Sequence, residues 1–267
     1  GQPLSWTVLC AADAQTDKRI DDLLSAYPLV SVVVTTHTQR WARSCMKPSS
    51  EQSIQPPQLP KHLRAEPFEA IDDHAEYASL AVSGSSLINQ TASNVVFEQT
   101  LFRRVVFNRT HLDKIRLIDV RLEASDLSGA DWEKARLRRV EFIGCRLLGT
   151  QLPEARLDDV LMQDCNIEGA VFASATFKVA RFEKCILREV SFEGADLTGV
   201  VFHQCDLTNV DLSGSRLIGA DFRGSILDGM RASAKELAGA VIDPTQAVQV
   251  VGLLGLAVKE NDPALRS

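Results

Sequence analysis

Large apolar residues recur at every fifth position over about half of this chain. The series begins at Phe97 and runs without insertion to Leu227, through 27 consecutive positions that carry ten of the eleven Phe residues. The residues two places earlier, from Val95 to Ser225, are all Val, Ala, Cys, Thr, Ser or Ile. A helix buries residues at a spacing of about 3.6 and a strand at about 2, so neither accounts for a period of five.

A period of five with two inward residues predicts a short straight segment followed by a corner. All twelve glycines between Gly84 and Gly239 lie two residues after the large apolar position, which suits a corner with positive φ. Four such segments close a coil of twenty residues, a spacing at which cysteine recurs from Cys145 to Cys205. We therefore predict coils that stack as parallel strands about 4.8 Å apart.

The repeat resembles a known family. The segments Ala195-Asp196-Leu197-Thr198-Gly199 and Ala220-Asp221-Phe222-Arg223-Gly224 are similar to Ala-Asp/Asn-Leu-x-x, the consensus of the pentapeptide-repeat proteins. The resemblance covers residues 80–229 and implies an all-β solenoid. The expected fold is a right-handed four-sided parallel β-helix of about seven coils with a C-terminal capping α-helix.

The repeat phase also divides the chain into segments. The β-helix is predicted over residues 80–242. Four prolines predict a Pro-rich linker and N-terminal cap over residues 56–79, in which Phe68 to Leu80 forms the cap. Residues 1–55 are predicted to be either a partly ordered extension or a small strand-helix-strand unit.

The C-terminal segment has the pattern of a helix start. Asp243 suits the N-cap and Pro244 the first helical position of an α-helix over residues 243–260, followed by a tail at 261–267. Because a β-helix exposes unpaired strand edges at its ends, we expect this apolar helix to cover the last coil. Apolar surface left exposed on the helix would also serve as a homodimer contact.

The chain carries no grouping of residues typical of catalysis or cofactor binding. Neighbouring cysteines of the ladder would lie about 4.8 Å apart, beyond the reach of a disulfide, and a line of sulfurs does not form a tetrahedral zinc site. We therefore interpret the ladder as core structure and expect no catalytic residue, metal or cofactor. The ladder consists of Cys145, Cys165, Cys185 and Cys205.

Charge is the most informative outward feature. Arg116, Arg136 and Arg156 recur at a spacing of twenty, and Arg138 and Arg139 lie on the same side. The stripe is either a solvated face with ion pairs between coils or a binding surface for an acidic partner. A net charge of −6 argues against direct binding to nucleic acid, and no apolar run is long enough to span a membrane. With no signal peptide recognised, we expect a cytoplasmic location.

Three functions are compatible with these features. The first is a non-enzymatic protein-binding or scaffold module that presents rigid β-helix walls. The second, implied by the family resemblance, is a DNA mimic that binds and protects a type II topoisomerase (gyrase), as in fluoroquinolone-resistance pentapeptide proteins. The third is an enzyme whose chemistry lies in residues 1–46, a segment without a catalytic motif.

Overall fold

A computed structural model describes residues 53–253. The predictions for residues 1–52 and 254–267 lie outside the described residues. Within the described part, the chain forms eleven strands and one helix. These are β1 (Arg64–Ala65), β2 (Glu76–Ala78), β3 (Leu80–Ser83), β4 (Thr91–Ser93), β5 (Val96–Arg103), β6 (His111–Asp113), β7 (Arg116–Glu123), β8 (Arg136–Ile143), β9 (Arg156–Gln163), β10 (Thr176–Glu183), β11 (Val201–His203) and α1 (Pro244–Leu253).

All the strand pairs are parallel. From β2 onward they join residues that are twenty apart, except at a register shift beside Val179, whereas β1 pairs with β3 at a spacing of sixteen. Leu117 pairs with Leu137, and Leu137 pairs with Leu157, as β7, β8 and β9 follow one another in the large sheet. Pairing between β2 and β5 begins at Glu76, a few residues upstream of the predicted start of the repeat. The register confirms the predicted β-helix of about seven coils.

Each eight-residue strand spans two sides of the coil. We name wall 1 the side whose large inward residues include Leu117, Leu137 and Leu157, and wall 2 the side that follows it, with Leu122 and Phe142 inward. The chain turns between these walls at a residue such as Asp119, where φ is 55°. Ladder hydrogen bonding therefore continues round the corner between walls 1 and 2.

The corners hold more than glycine. Positive φ is found at twelve glycines, as predicted, but also at a set of non-glycine residues with φ between 47° and 58°. Such a conformation costs an L-residue roughly 1–2 kcal/mol. Val179 is an exception, since the register between β9 and β10 shifts beside it and its φ is not positive. A β-branched side chain is the kind that tolerates positive φ least.

The interior is a continuous column of apolar side chains. The rings of Phe182, Phe202 and Phe222 stack across successive coils with centroids 5.0 Å apart at both steps. Trp132 is buried, and its indole Nε1 donates to Thr110 Oγ1 at 3.1 Å, so its polar atom is satisfied. Similar side chains at equivalent positions thus fill the interior without unpaired polar groups at these sites.

Both ends of the solenoid are covered. At the N-terminal end Phe68 is buried and packs edge-on against Tyr77, 4.8 Å away, and against Phe97. At the other end Asp243 Oδ1 accepts from the N–H groups of Thr245 and Gln246, which makes it the N-cap of α1. Aromatic packing thus covers the N-terminal end, and an N-capped helix follows the last coil at the other end.

Candidate interaction surface

Wall 1 presents three arginines in register. Arg116 pairs with Arg136, and Arg136 pairs with Arg156, through the backbone ladders of β7, β8 and β9. We call these three residues the arginine column. All three side chains are exposed, and none makes an ion pair or a side-chain hydrogen bond with another residue of the range 53–253. Like charges placed opposite one another on neighbouring strands are destabilising.

The neighbouring columns of the same wall alternate in sign. Lys178 lies 3.2 Å from the carboxylate of Asp158, in the column to which Arg138 also belongs. At the corner, Arg139 pairs with Asp119 of the preceding coil. In these two columns the charges on neighbouring coils are opposite and attract one another. In the arginine column the charges are alike, and no carboxylate of the described residues pairs with them.

A groove lies beside the arginine column. It has a volume of about 370 Å³ and runs between the column and the corner that precedes wall 1. Two lysines of that corner face the groove, and both are already paired with acidic neighbours, Lys114 with Asp113 and Lys134 with Glu133. The groove lining is Asn94, Lys114, Arg116, Lys134, Arg136, Glu154 and Arg156. We call this the basic groove.

The structure separates the five arginines that the sequence grouped together. Arg116, Arg136 and Arg156 line the basic groove, whereas Arg138 lies on the other outward column of wall 1. Arg139 is held at the corner by Asp119 and is only 17% exposed in its side chain. The two groove lysines were missed, although their spacing of twenty, two residues before the arginines, was a usable signal.

Asp119 is an ionised, hydrogen-bonded carboxylate at the corner between walls 1 and 2, at the other edge of wall 1 from the basic groove. Burial opposes its ionisation, but hydrogen bonds from Arg139 and from the N–H of Gln58 outweigh burial and hold the pKa of Asp119 below its ordinary value of 3.8. The same Oδ1 accepts from Arg139 Nε at 2.6 Å and from Gln58 N at 2.9 Å. One carboxylate therefore joins two coils and the N-terminal segment.

That N-terminal segment lies along the corner between walls 1 and 2. We call residues 53–63 the strap. Its Gln55 N–H donates to Asp159 at 3.0 Å, and three residues later the Gln58 N–H donates to Asp119. Asp159 and Asp119 are two coils apart, so the strap runs along the rod and across the strands. The segment predicted as a Pro-rich linker is thus attached to the solenoid.

The cysteine ladder lies in the core. Each of the four thiols is buried and donates to a main-chain carbonyl of the preceding coil, for example Cys145 Sγ to Leu122 O at 3.4 Å. The neighbouring thiols of Cys145 and Cys185, together with burial, raise the pKa of the Cys165 thiol. A thiol kept protonated in this way is a poor nucleophile and a poor metal ligand.

Two further features of residues 53–253 bear on function. In this range no group of three or more His, Cys, Asp or Glu side chains is arranged to hold a metal ion. The helix described here is too short to cross a membrane.

Comparisons with known proteins agree with the architecture. Residues 135–212 match the family described as the pentapeptide repeat region, and residues 115–152 match the family of pentapeptide repeats in eight copies. Comparison with the sequences of curated proteins gives no match.

Several solved structures are similar. HetL of the cyanobacterium Nostoc, a pentapeptide-repeat protein involved in regulating heterocyst differentiation, is 22% identical over 64% of this chain and 90% of its own, with a TM-score of 0.42. Trypsin-treated QnrB1, a plasmid-mediated fluoroquinolone resistance protein, is 22% identical over 75% of this chain and 100% of its own, with a TM-score of 0.42. A pentapeptide-repeat protein of the Arabidopsis thaliana thylakoid lumen is 18% identical over 50% of this chain and 86% of its own, with a TM-score of 0.23.

The family assignment depends on the repeat itself. The matched residues 115–212 lie inside the five-residue phase that builds the coils, and the strand register reproduces the twenty-residue coil. Residues 115–212 of this chain belong to the pentapeptide-repeat family.

Proposed function

We propose that this chain is a non-enzymatic protein-binding module that uses wall 1 to bind an acidic segment of a partner protein. The observation that supports this proposal is the arginine column. Three guanidinium groups stand in register with no carboxylate partner among the described residues, while the adjacent columns of the same wall alternate in sign. A carboxylate-rich ligand would relieve that repulsion and would form charge-assisted, bidentate hydrogen bonds with the arginines.

A rigid wall suits this role. The strands under the column are held on both sides by continuous parallel ladders, and the inward residues Leu117, Leu137 and Leu157 are buried. The main chain therefore need not reorganise when a ligand binds, which lowers the entropic cost of association. We propose the cytoplasm as its compartment, since the four described cysteines are free thiols.

Binding of poly-L-glutamate tests the proposal. We expect the full chain to bind poly-L-glutamate, with an affinity that falls as salt is raised. Glutamate substitution of Arg116, Arg136 and Arg156 together should abolish binding. The matched control changes Arg104, Arg109 and Arg146, which are exposed, to glutamate and should retain it. Equal binding by the two triple variants would refute the proposal.

Mimicry of DNA towards a type II topoisomerase is the alternative. It requires a strongly negative rod, whereas wall 1 carries the arginine column and many carboxylates elsewhere are neutralised by arginines, such as Asp206 by Arg188 at 2.6 Å. A gyrase supercoiling assay with a quinolone distinguishes the two functions. Protection of gyrase by micromolar protein that survives the triple substitution of the arginine column would favour mimicry.

We also propose that a homodimer contact involves α1. Val248 of this helix is 56% exposed, and Ile218 and Ile226 of the last coils are about half exposed. Light scattering of the full chain and of Val248→Glu tests the contact, because a charge placed in an apolar interface weakens association. A mass that is the same for both chains would exclude it.

A further inference from the structure

The strap shows how an extended peptide fits this rod. Its main-chain N–H groups at Gln55 and Gln58, three residues apart, reach carboxylates that are two coils apart. Half-buried residues also recur at every third position of the strap, at Ile54, Pro57, Pro60 and Leu63, with Leu59 as an additional one. A period of three is the period of a polyproline II helix.

The two periods match in length. Three residues of a polyproline II helix advance about 9.3 Å, and two coils of a parallel solenoid advance about 9.6 Å. Residues i and i+3 of such a peptide therefore meet equivalent positions on alternate coils. An extended β-strand places same-side residues about 6.6–6.8 Å apart, which matches neither one coil nor two.

The basic groove offers the same spacing to a ligand. Arg116 and Arg156 are two coils apart in the arginine column, as Asp119 and Asp159 are at the strap corner. Arg136 stands on the coil between them, as Arg139 does between the two aspartates. The groove runs along the column beside Asn94, Lys114, Lys134 and Glu154, and so parallel to the rod.

We propose that the acidic segment recognised by the basic groove is a polyproline II peptide with a carboxylate at every third residue, running along the rod. This inference rests on the proposed function and specifies its ligand. The carboxylates at i and i+3 meet Arg116 and Arg156. Arg136 donates to peptide carbonyls between them, because a polyproline II helix leaves its own carbonyls unpaired.

The preformed conformation adds to the fit. A Pro-rich acidic segment is already extended before it binds, so less conformational entropy is lost than for a flexible acidic chain. The strap itself is not the ligand of the basic groove, because its anchors Asp119 and Asp159 lie at the other edge of wall 1. Both sites are expected to be occupied at once.

Two isomeric peptides test the inference. One has the sequence Glu-Pro-Pro repeated four times. The other has the same composition with its four glutamates consecutive at the N-terminus. We expect the periodic peptide to bind the full chain at least about tenfold more tightly than the block peptide, measured by fluorescence anisotropy at low salt, a factor that corresponds to about 1.4 kcal/mol.

Three outcomes are distinguishable. The inference is supported if the chain prefers the periodic peptide and loses this preference when Arg116 and Arg156 are both changed to glutamine. Equal binding of the two peptides that still depends on the arginine column overturns the inference and leaves the proposed function standing. Binding that does not depend on the arginine column, or no binding of either peptide, overturns both. Changing the exposed Arg104 and Arg109 to glutamine lowers the net charge by the same two units and is the matched control.

Discussion

Arg139 donates two hydrogen bonds to Asp119 of the preceding coil, from Nε to Oδ1 at 2.6 Å and from Nη2 to Oδ2 at 2.5 Å. Both side chains are largely buried, with 17% and 5% of their surface exposed. The same Asp119 oxygen accepts the N–H of Gln58 in the strap. This pair therefore stabilises the corner between walls 1 and 2 and the attachment of the strap.

Replacing Asp119 should loosen the strap and destabilise the coils. We expect Asp119→Asn to lower the free energy of unfolding by about 1.5–3 kcal/mol, the usual range for hydrogen bonds to a charged group. Trypsin should also cleave faster at Lys61 and Arg64, near the end of the strap. Asp159→Asn is the matched control, since Asp159 anchors only Gln55 at an exposed site. Equal losses in urea unfolding of both variants would contradict this account.

The strap should respond to acid. The pKa of Asp119 is lowered in the folded protein, so its ionised form favours the native state. That contribution is complete above the unfolded pKa of about 3.9 and is lost as the pH falls through the lower folded value. We expect the amide of Gln58 to lose hydrogen-exchange protection below about pH 4, after correction for the intrinsic rate. In Asp119→Asn the protection should be weaker and should not change across this range.

The arginine column should reduce stability. Arg136→Glu places a carboxylate between two guanidinium groups, so we expect the free energy of unfolding to rise by about 0.5 kcal/mol at low ionic strength and the gain to shrink in high salt. Arg146→Glu is the control and should destabilise the protein, because Arg146 stands in register with Asp126 and the substitution creates like charges. Destabilisation by Arg136→Glu would show that the column is not under repulsion.

The sequence predicted the solenoid because the interior imposes a strict alternation of size. Every coil must place a large residue such as Leu137 and a small one such as Ala135 inward, so the period is visible without structural information. The corners were less predictable. Arg139 and Lys134 adopt the positive φ expected of glycine, since their side chains project outward from a corner that continuous ladders hold in place.

The candidate site was predicted only in part. Arg136 and Arg139 look alike in the sequence, and the difference arises from the residue one coil earlier, which is Arg116 for the first and Asp119 for the second. Comparing each arginine with the residue twenty positions earlier in the sequence would have distinguished the two. Attachment of the strap was not predicted, because it depends on main-chain N–H groups of Gln55 and Gln58, which carry no side-chain signal.

A corner residue with positive φ gives a direct measure of backbone strain. Ser174 has a φ of 56° and is exposed. Ser174→Gly should stabilise the protein by up to about 1 kcal/mol, because glycine adopts this conformation without a Cβ clash although it loses more chain entropy. Ser174→Val should destabilise it, since a β-branched residue tolerates positive φ poorly. Thermal unfolding of the two variants should give opposite shifts.

Gln246 connects α1 to the last coil. Its side-chain Nε2 donates to the carbonyls of Phe222 and Ser225, both at 2.6 Å, and its Oε1 accepts the N–H of Asp243. The residue is buried, so among the described residues Gln246→Leu would leave the Ser225 carbonyl and the Asp243 N–H without partners. The Phe222 carbonyl would keep the N–H of Ser225, at 3.1 Å. We expect a loss of at least about 2–3 kcal/mol in unfolding free energy, from the desolvation cost of buried polar groups.

Hydrogen exchange locates the effect of that substitution. Amides of the last coil, such as that of Ser225, should exchange faster in Gln246→Leu, while those of β7 and β8 should be unchanged, because coils interact mainly with their neighbours. Gln249→Leu is the matched control, since Gln249 bonds only to the exposed Asp228 side chain, at 2.7 Å. If the amides of the last coil exchange at the same rate in Gln246→Leu and Gln249→Leu, Gln246 is not the residue through which α1 covers this end of the rod.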